Sequence, residues 1–214
     1  MCEKLLELIF PRRCGFCNLL IKEDYACKKC KKKLEYIYNN EVDNIVEKNF
    51  EIIVSAYIYT GIIREKLLEF KFKNKKYLYR ALTEKLLKDL QRYVNDIDYI
   101  VPVPISFKRY MERGYNQSYL IAKHISEKVN KPLCRFVLIK SKNNKKQSEL
   151  GVKARITNVN NVYKVLNTKI IYGKNILLID DIYTTGATVN ECSKVLKQSG
   201  VKNIIVATIA KAKA

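Results

Sequence analysis

Residues 176–188 read ILLIDDIYTTGAT, and their types and order can do chemistry. Four apolar residues, Ile176 to Ile179, have the composition of a buried strand. Asp180 and Asp181 stand at its end. A small, hydroxyl-rich turn follows through Tyr183, Thr184, Thr185, Gly186, Ala187 and Thr188 and opens a helix that runs to about Gly200. Backbone N–H groups and hydroxyls of such a turn can cradle a phosphate, helped by the helix dipole. Adjacent carboxylates can accept hydrogen bonds from neighbouring sugar hydroxyls. A phosphorylated ribose satisfies both halves. An ordinary helix cap needs one Asp or Thr, not two acids and three threonines.

This segment resembles the thirteen-residue motif of type I phosphoribosyltransferases, which bind phosphoribosyl pyrophosphate (PRPP). The resemblance implies that Asp180 and Asp181 hold the ribose 2′- and 3′-hydroxyls. It implies that Tyr183, Thr184, Thr185, Gly186, Ala187 and Thr188 form the 5′-phosphate site, with Mg²⁺ accompanying PRPP.

A second constellation lies near the start. Cys14-x2-Cys17 and Cys27-x2-Cys30 form two CxxC pairs separated by nine residues. Each pair can offer two thiolates to one metal, and two pairs close a tetrahedral site, which points to structural Zn²⁺. Gly15 stands where the backbone must turn under the metal. A closed four-cysteine site leaves no coordination position for catalysis. Cys2, Cys134 and Cys192 have no partner at ligand spacing and read as packing residues.

Three further segments carry cations or rings. VPVPISFKRYMERGYNQS, residues 101–118, brings Lys108, Arg109 and Arg113 beside Gly114 at a strand end. Arg113 can bind a pyrophosphate bidentately, and Gly114 allows close approach of the backbone. KSKNNKKQSELGVKARITNV, residues 140–159, is a long basic loop that can close over an anion through Arg155 and Gln147. LEFKFKNKKYL, residues 68–78, interleaves Lys with Phe and Tyr. It suits stacking on single-stranded bases or a half-buried amphipathic segment equally well. The single histidine, His124, sits mid-helix and reads as a surface or packing residue.

These groups need a scaffold. The chain has 214 residues, 48% of them hydrophobic, enough for one full core and a small appendage. Helix is expected over residues 1–10, then the cysteine knuckles, a basic helix from Lys31 to Tyr38, and a polar linker from Asn39 to Asn49. Strands are expected at Ile52–Tyr59, Tyr99–Val103, Arg135–Ile139, Val162–Val165, Asn175–Ile179 and Ile204–Ile209. Helices are expected at Ile62–Phe70, Tyr77–Val94, Gln117–Val129 and Thr188–Gln198, with residues 106–116 as loop. This alternation predicts an α/β fold with a mainly parallel sheet flanked by helices. The expected division is a zinc-binding module over 1–40 and a phosphoribosyltransferase-like domain over 50–214. Ligands in such sheets sit beyond the carboxyl ends of the strands, where VPVP and IDD both lead.

The formal net charge is +20. It fits a polyanionic partner such as single-stranded DNA, and it fits equally the Lys- and Asn-rich composition of an AT-rich genome. Residues 140–169 concentrate eight Lys/Arg against one acid, Glu149. No apolar run reaches the roughly 20 residues of a membrane span, and the first residues do not read as a signal peptide. The expected location is the cytoplasm.

The order of these features resembles the ComF family of late competence proteins. The family pattern RGFNQ stands here as Arg113-Gly114-Tyr115-Asn116-Gln117. Its loop pattern Q-x-x-L…R-x-x-N matches Gln147, Leu150, Arg155 and Asn158. The usual Gly-Ala-Phe stands as Asn161-Val162-Tyr163, keeping only the aromatic. The resemblance implies support for natural transformation, with single-stranded DNA and DNA-uptake machinery at the inner face of the membrane as partners. No segment reads as a nucleobase pocket. Two other roles remain open: an active phosphoribosyltransferase in nucleotide metabolism, and a PRPP-sensing regulator.

Overall fold

The computed structural model describes residues 11–37, 48–141 and 162–213. The expectations for the N-terminal helix, for most of the linker, and for Gln147 and Arg155 lie outside the described residues.

Four strands form one parallel sheet: β1 (Ile52–Ile58), β2 (Tyr99–Pro102), β5 (Asn175–Tyr183) and β6 (Asn203–Lys211), in the order β1-β6-β5-β2. β3 (Leu138–Lys140) and β4 (Tyr163–Val165) form a separate antiparallel pair. The strand expected at Arg135–Ile139 therefore starts later and leaves the main sheet.

Strand periodicity explains the two-sided burial. Leu177, Ile179, Ile205 and Ala207 face one core, with Leu67, Phe70, Leu82, Leu86 and Ile121. Ile176, Leu178, Ile204 and Val206 face the other, with Leu138, Tyr163, Val189 and Cys192. The first core is covered by α2 (Gly61–Phe72), α3 (Leu78–Leu90) and α5 (Gln117–Val129), the second by α7 (Ala187–Gln198) and the β3–β4 pair. A one-turn helix α6 (Thr168–Ile171) precedes β5. Past Leu90 the chain tightens into a 3₁₀ helix, Gln91–Asp96, where a longer α-helix was expected.

Two corrections matter for function. First, residues expected as loop form helix α4 (Phe107–Arg113). Ser106 caps it by accepting from the Arg109 N–H at 3.3 Å, and Gly114 ends it at φ 74°. Second, β5 runs past Ile179 to Tyr183, so both aspartates lie within the strand.

Among the described residues, the cysteine module has one short helix, α1 (Lys28–Lys31), in place of a basic helix running on from Lys31. The chain then extends, and Tyr36 bridges antiparallel to Tyr57 on β1. Cys14, Phe16, Ala26, Cys27, Cys30 and Leu34 share the first core with Leu82 and Leu86 of α3. Gly15 lies in the turn that the Asn18 N–H closes onto the Cys14 carbonyl at 2.8 Å, as expected, and it also makes that contact. A Cβ on Gly15 would stand 2.3 Å from the Ala81 Cβ, an impossible approach. Gly15→Ala is expected to destabilise the protein by about 1–3 kcal/mol as overpacking. In a thermal-melt double-mutant cycle, Ala81→Gly should recover part of that loss. Additive effects would show that the module does not bear on α3.

Candidate functional site

The carboxyl ends of β2 and β5, the start of α7 and the ends of α2 and β3 enclose a cleft of about 250 Å³. Asp180, Asp181, Tyr183 and the whole Thr184–Thr188 turn line it, as do Arg109 and Arg113. Gly114 is not in the lining. Its positive φ closes α4 and turns the chain into α5.

The two carboxylates diverge as neighbours on a strand must. Asp180 accepts from the Ser118 hydroxyl at 2.9 Å and from the Asp181 N–H at 2.9 Å. Asp181 pairs with Lys71 Nζ at 2.8 Å. Burial first, and the adjacent Asp181 carboxylate second, push Asp180 up to about 7. A carboxyl group that titrates near neutrality in a cleft is characteristic of a functional site.

The turn after β5 is closed by a glycine. Gly186 adopts φ 73° immediately before α7, a left-handed position that favours glycine. The Thr185 hydroxyl accepts from the Ala187 N–H at 3.4 Å. The positive end of a twelve-residue helix thus forms one wall of the cleft.

RGYNQ positions the opposite wall. Arg113 Nη1 donates to Gln117 Oε1 at 2.9 Å, which aims the guanidinium. Tyr115 packs on Phe70 with ring centroids 5.7 Å apart and donates its hydroxyl hydrogen bond to the Phe70 carbonyl. Asn116 caps α5 by accepting from the Tyr119 N–H at 3.3 Å and ties back to the Val103 carbonyl at 3.0 Å. Gln117, only 1% exposed, is a strut rather than a surface residue.

Lining residues that escaped sequence reasoning include Lys71, Lys140 and Ser118. Lys71 belongs to the segment considered for base stacking, but its ammonium turns inward onto Asp181. Lys140 sits 5.4 Å from the Tyr163 ring centroid, and burial first and Arg109 second bring it down to about 8. The lining thus holds four cations, Lys71, Arg109, Arg113 and Lys140, against two acids. With Lys71 engaged by Asp181, the surplus favours a multiply charged anion. His124 is 6% exposed, packs edge-on against Tyr79 with centroids 5.1 Å apart, and lies outside the cleft lining.

The four cysteine Sγ atoms lie within 4.8 Å of one another. A tetrahedral site with metal–sulfur bonds of about 2.3 Å needs sulfurs roughly 3.8 Å apart, and Cys17 and Cys27 stand at 3.7 Å. The Cys27 N–H donates to Cys14 Sγ at 3.3 Å and the Cys30 N–H to Cys27 Sγ at 3.4 Å. Burial raises the Cys14 thiol, but the backbone donors of Cys27, Cys17 and Phe16 outweigh it and bring it down to about 7. Burial and the neighbouring cysteines push Cys30 up. The cluster fits a metal that takes thiolates.

The parallel sheet with helices on both faces, and the match of residues 116–214 to the model of the phosphoribosyl transferase domain, define a protein with a type I phosphoribosyltransferase fold. The chain is 30% identical over 219 residues to Competence protein F of Haemophilus influenzae, covering 99% of this chain and 95% of that protein. It belongs to the ComF family of competence proteins. It is also 27% identical to Competence protein ComFC of Bacillus subtilis, over 93% of this chain and 77% of that one. Among solved structures, adenine phosphoribosyltransferase from Saccharomyces cerevisiae aligns at a TM-score of 0.44 and 14% identity, over 65% of this chain and 73% of that chain. Among the described residues, no helix is long and apolar enough to cross a membrane.

Proposed function

We propose that this is a competence protein that binds PRPP in the cleft and supports the handling of incoming single-stranded DNA in the cytoplasm during natural transformation. The observation that carries it is the single cleft in which Asp180, Asp181, the Thr184–Thr188 turn, Arg109 and Arg113 converge. In this reading the aspartates take the ribose diol and the turn takes the 5′-phosphate. Arg109 and Arg113 take the pyrophosphate, which arrives with Mg²⁺. Gln147 and Arg155 close over it. The module of residues 1–40 carries structural Zn²⁺ on Cys14, Cys17, Cys27 and Cys30, beside a ligand-binding domain over 50–214.

Calorimetry with PRPP, with and without Mg²⁺, tests the cleft. Saturable binding of one PRPP per chain is expected, and an absence of binding in both conditions defeats the reading. The affinity should peak between about pH 7 and 8. Below about 7, Asp180 takes up a proton and ceases to be a pure acceptor; above about 8, Lys140 loses its charge. A flat profile from pH 6 to 9.5 would separate these two groups from the ligand.

The DNA part has its own test. Binding of a single-stranded oligonucleotide should weaken steeply with salt, because phosphate contacts release counterions. Salt-independent binding would remove the electrostatic basis of the proposal. The same protein mixed with PRPP, Mg²⁺ and each nucleobase reports on catalysis through pyrophosphate release.

A further inference from the structure

Helix α4 presents three rows of side chains, the two members of each row one turn apart. Arg109 and Arg113 form the row that lines the cleft. Lys108 and Glu112 form the next row. Phe107 and Met111 form the third, and they are 77% and 66% exposed. Tyr110, also exposed, stands between that apolar row and the cleft row. Phe72 at the end of α2 is exposed too, with its ring centroid 5.0 Å from the Arg113 guanidinium carbon. A monomer ordinarily scatters such side chains singly, and here four large ones gather around one helix. α4 also buries none of its residues. A seven-residue helix is marginal without an apolar face to pack, and this one carries both cleft arginines.

The charges beside the apolar row name the occupant. The molecule carries a net charge of +20, yet the outward rows of α4 hold one Lys and one Glu. Lys108 precedes Glu112 by four residues, the less favourable order for a pair within one helix. Among the described residues, neither forms an ion pair. A second copy of α4, laid antiparallel on the first about a two-fold axis, answers both rows. It brings Phe107 of each copy onto Met111 of the other, and Lys108 of each onto Glu112 of the other. We infer that this face is an isologous interface through which two copies of the chain pair, α4 against α4. A polyanion would instead meet an apolar row with a carboxylate beside it. Both clefts stay open in the pair, because the Arg109–Arg113 row turns away from the contact. The interface does not depend on what the cleft binds.

A contact made by one short helix and one ring is smaller than the roughly 1,200 Å² of a standard interface, so its dissociation constant should be on the order of 10 µM. Sedimentation equilibrium of the full chain at roughly 0.15 M salt, where the Debye length of about 8 Å screens the net charge, should show monomer passing to dimer as concentration rises. Phe107→Ser with Met111→Ser is expected to weaken pairing by about 100-fold or more. Lys108→Glu should weaken it by about tenfold, since like charges then meet twice, and adding Glu112→Lys should restore it. That rescue requires position 108 of one copy to meet position 112 of the other. All four side chains are exposed, so the variants should melt as the parent does. A parent that stays monomeric at about 100 µM overturns the interface. So does a dimer that survives the loss of Phe107 and Met111, or a charge swap that fails to restore pairing.

Discussion

The double variant Asp180→Asn/Asp181→Asn is expected to lose PRPP binding by about 100-fold or more. Each ionised acceptor in a hydrogen bond contributes about 1.5–3 kcal/mol, and in the proposed reading both hold the ribose diol. The single variant Asp180→Asn makes the result harder to mistake for misfolding, since it should bind poorly yet be more stable than the parent. Asp180 keeps its proton to about pH 7 in the folded protein, against an ordinary value of 3.8. Between those values the folded state holds a proton that the unfolded chain has released, so the parent's stability falls as pH rises through that interval. Asparagine has nothing to ionise. Its advantage should grow from about pH 4 to about pH 7 and then level off, which thermal melts across that range will show. Asp181→Asn should behave differently, because it strands the Lys71 ammonium that now sits 2.8 Å from a carboxylate. A double variant that binds PRPP as well as the parent would place the ligand elsewhere.

On the proposed zinc reading, loss of the metal should act on the whole first core. Cys14, Cys27 and Cys30 are buried among residues of α3, so the metal site and the domain share one apolar cluster. Chelation, or Cys27→Ser with Cys30→Ser, is expected to lower the melting temperature by on the order of 10 °C and to bring zinc content from one per chain to none. Low pH should release metal too, since Cys30 must give up a proton that its surroundings favour. The cleft is built from α2, α4, α5, β5 and α7, so PRPP affinity measured below the melting range should change less than tenfold. A chelated protein with an unchanged melting curve would reduce the cluster to a set of packed thiols.

The parts that the sequence announced were those with an unusual residue order. Four apolar residues, two acids and a Thr-Gly turn have few alternative uses, and they hold together in the structure. The paired CxxC spacing is equally restrictive, and its sulfurs do cluster. Helix α4 was missed because FKRYMER spans only seven residues and buries none of them. Its signals are Phe107, Tyr110 and Met111 at helical spacing, Ser106 before it and Gly114 after it. Lys71 and Lys140 were hidden for a statistical reason. Among 41 Lys and Arg residues, nothing local marks these two as cleft residues. Ser118 became a site residue only when α5 packed against β5 and brought its hydroxyl to Asp180. The β3–β4 pair looked like part of the main sheet because short apolar runs carry no information about their partners.

The sheet's edge has a consequence for biosynthesis. Within the sheet β1 pairs only with β6, and Ser55 meets Thr208 across 153 positions of chain. At about 5–20 residues per second, β1 leaves the ribosome roughly 8 to 30 s before its neighbour exists. During that interval its other edge can already be occupied. The Ile37 N–H donates to the Ala56 carbonyl at 3.1 Å and the Ile58 N–H to the Glu35 carbonyl at 2.8 Å. Both partners belong to the tail of the cysteine module, which is translated first. The module can thus serve the newborn strand as a chaperone built into the same polypeptide.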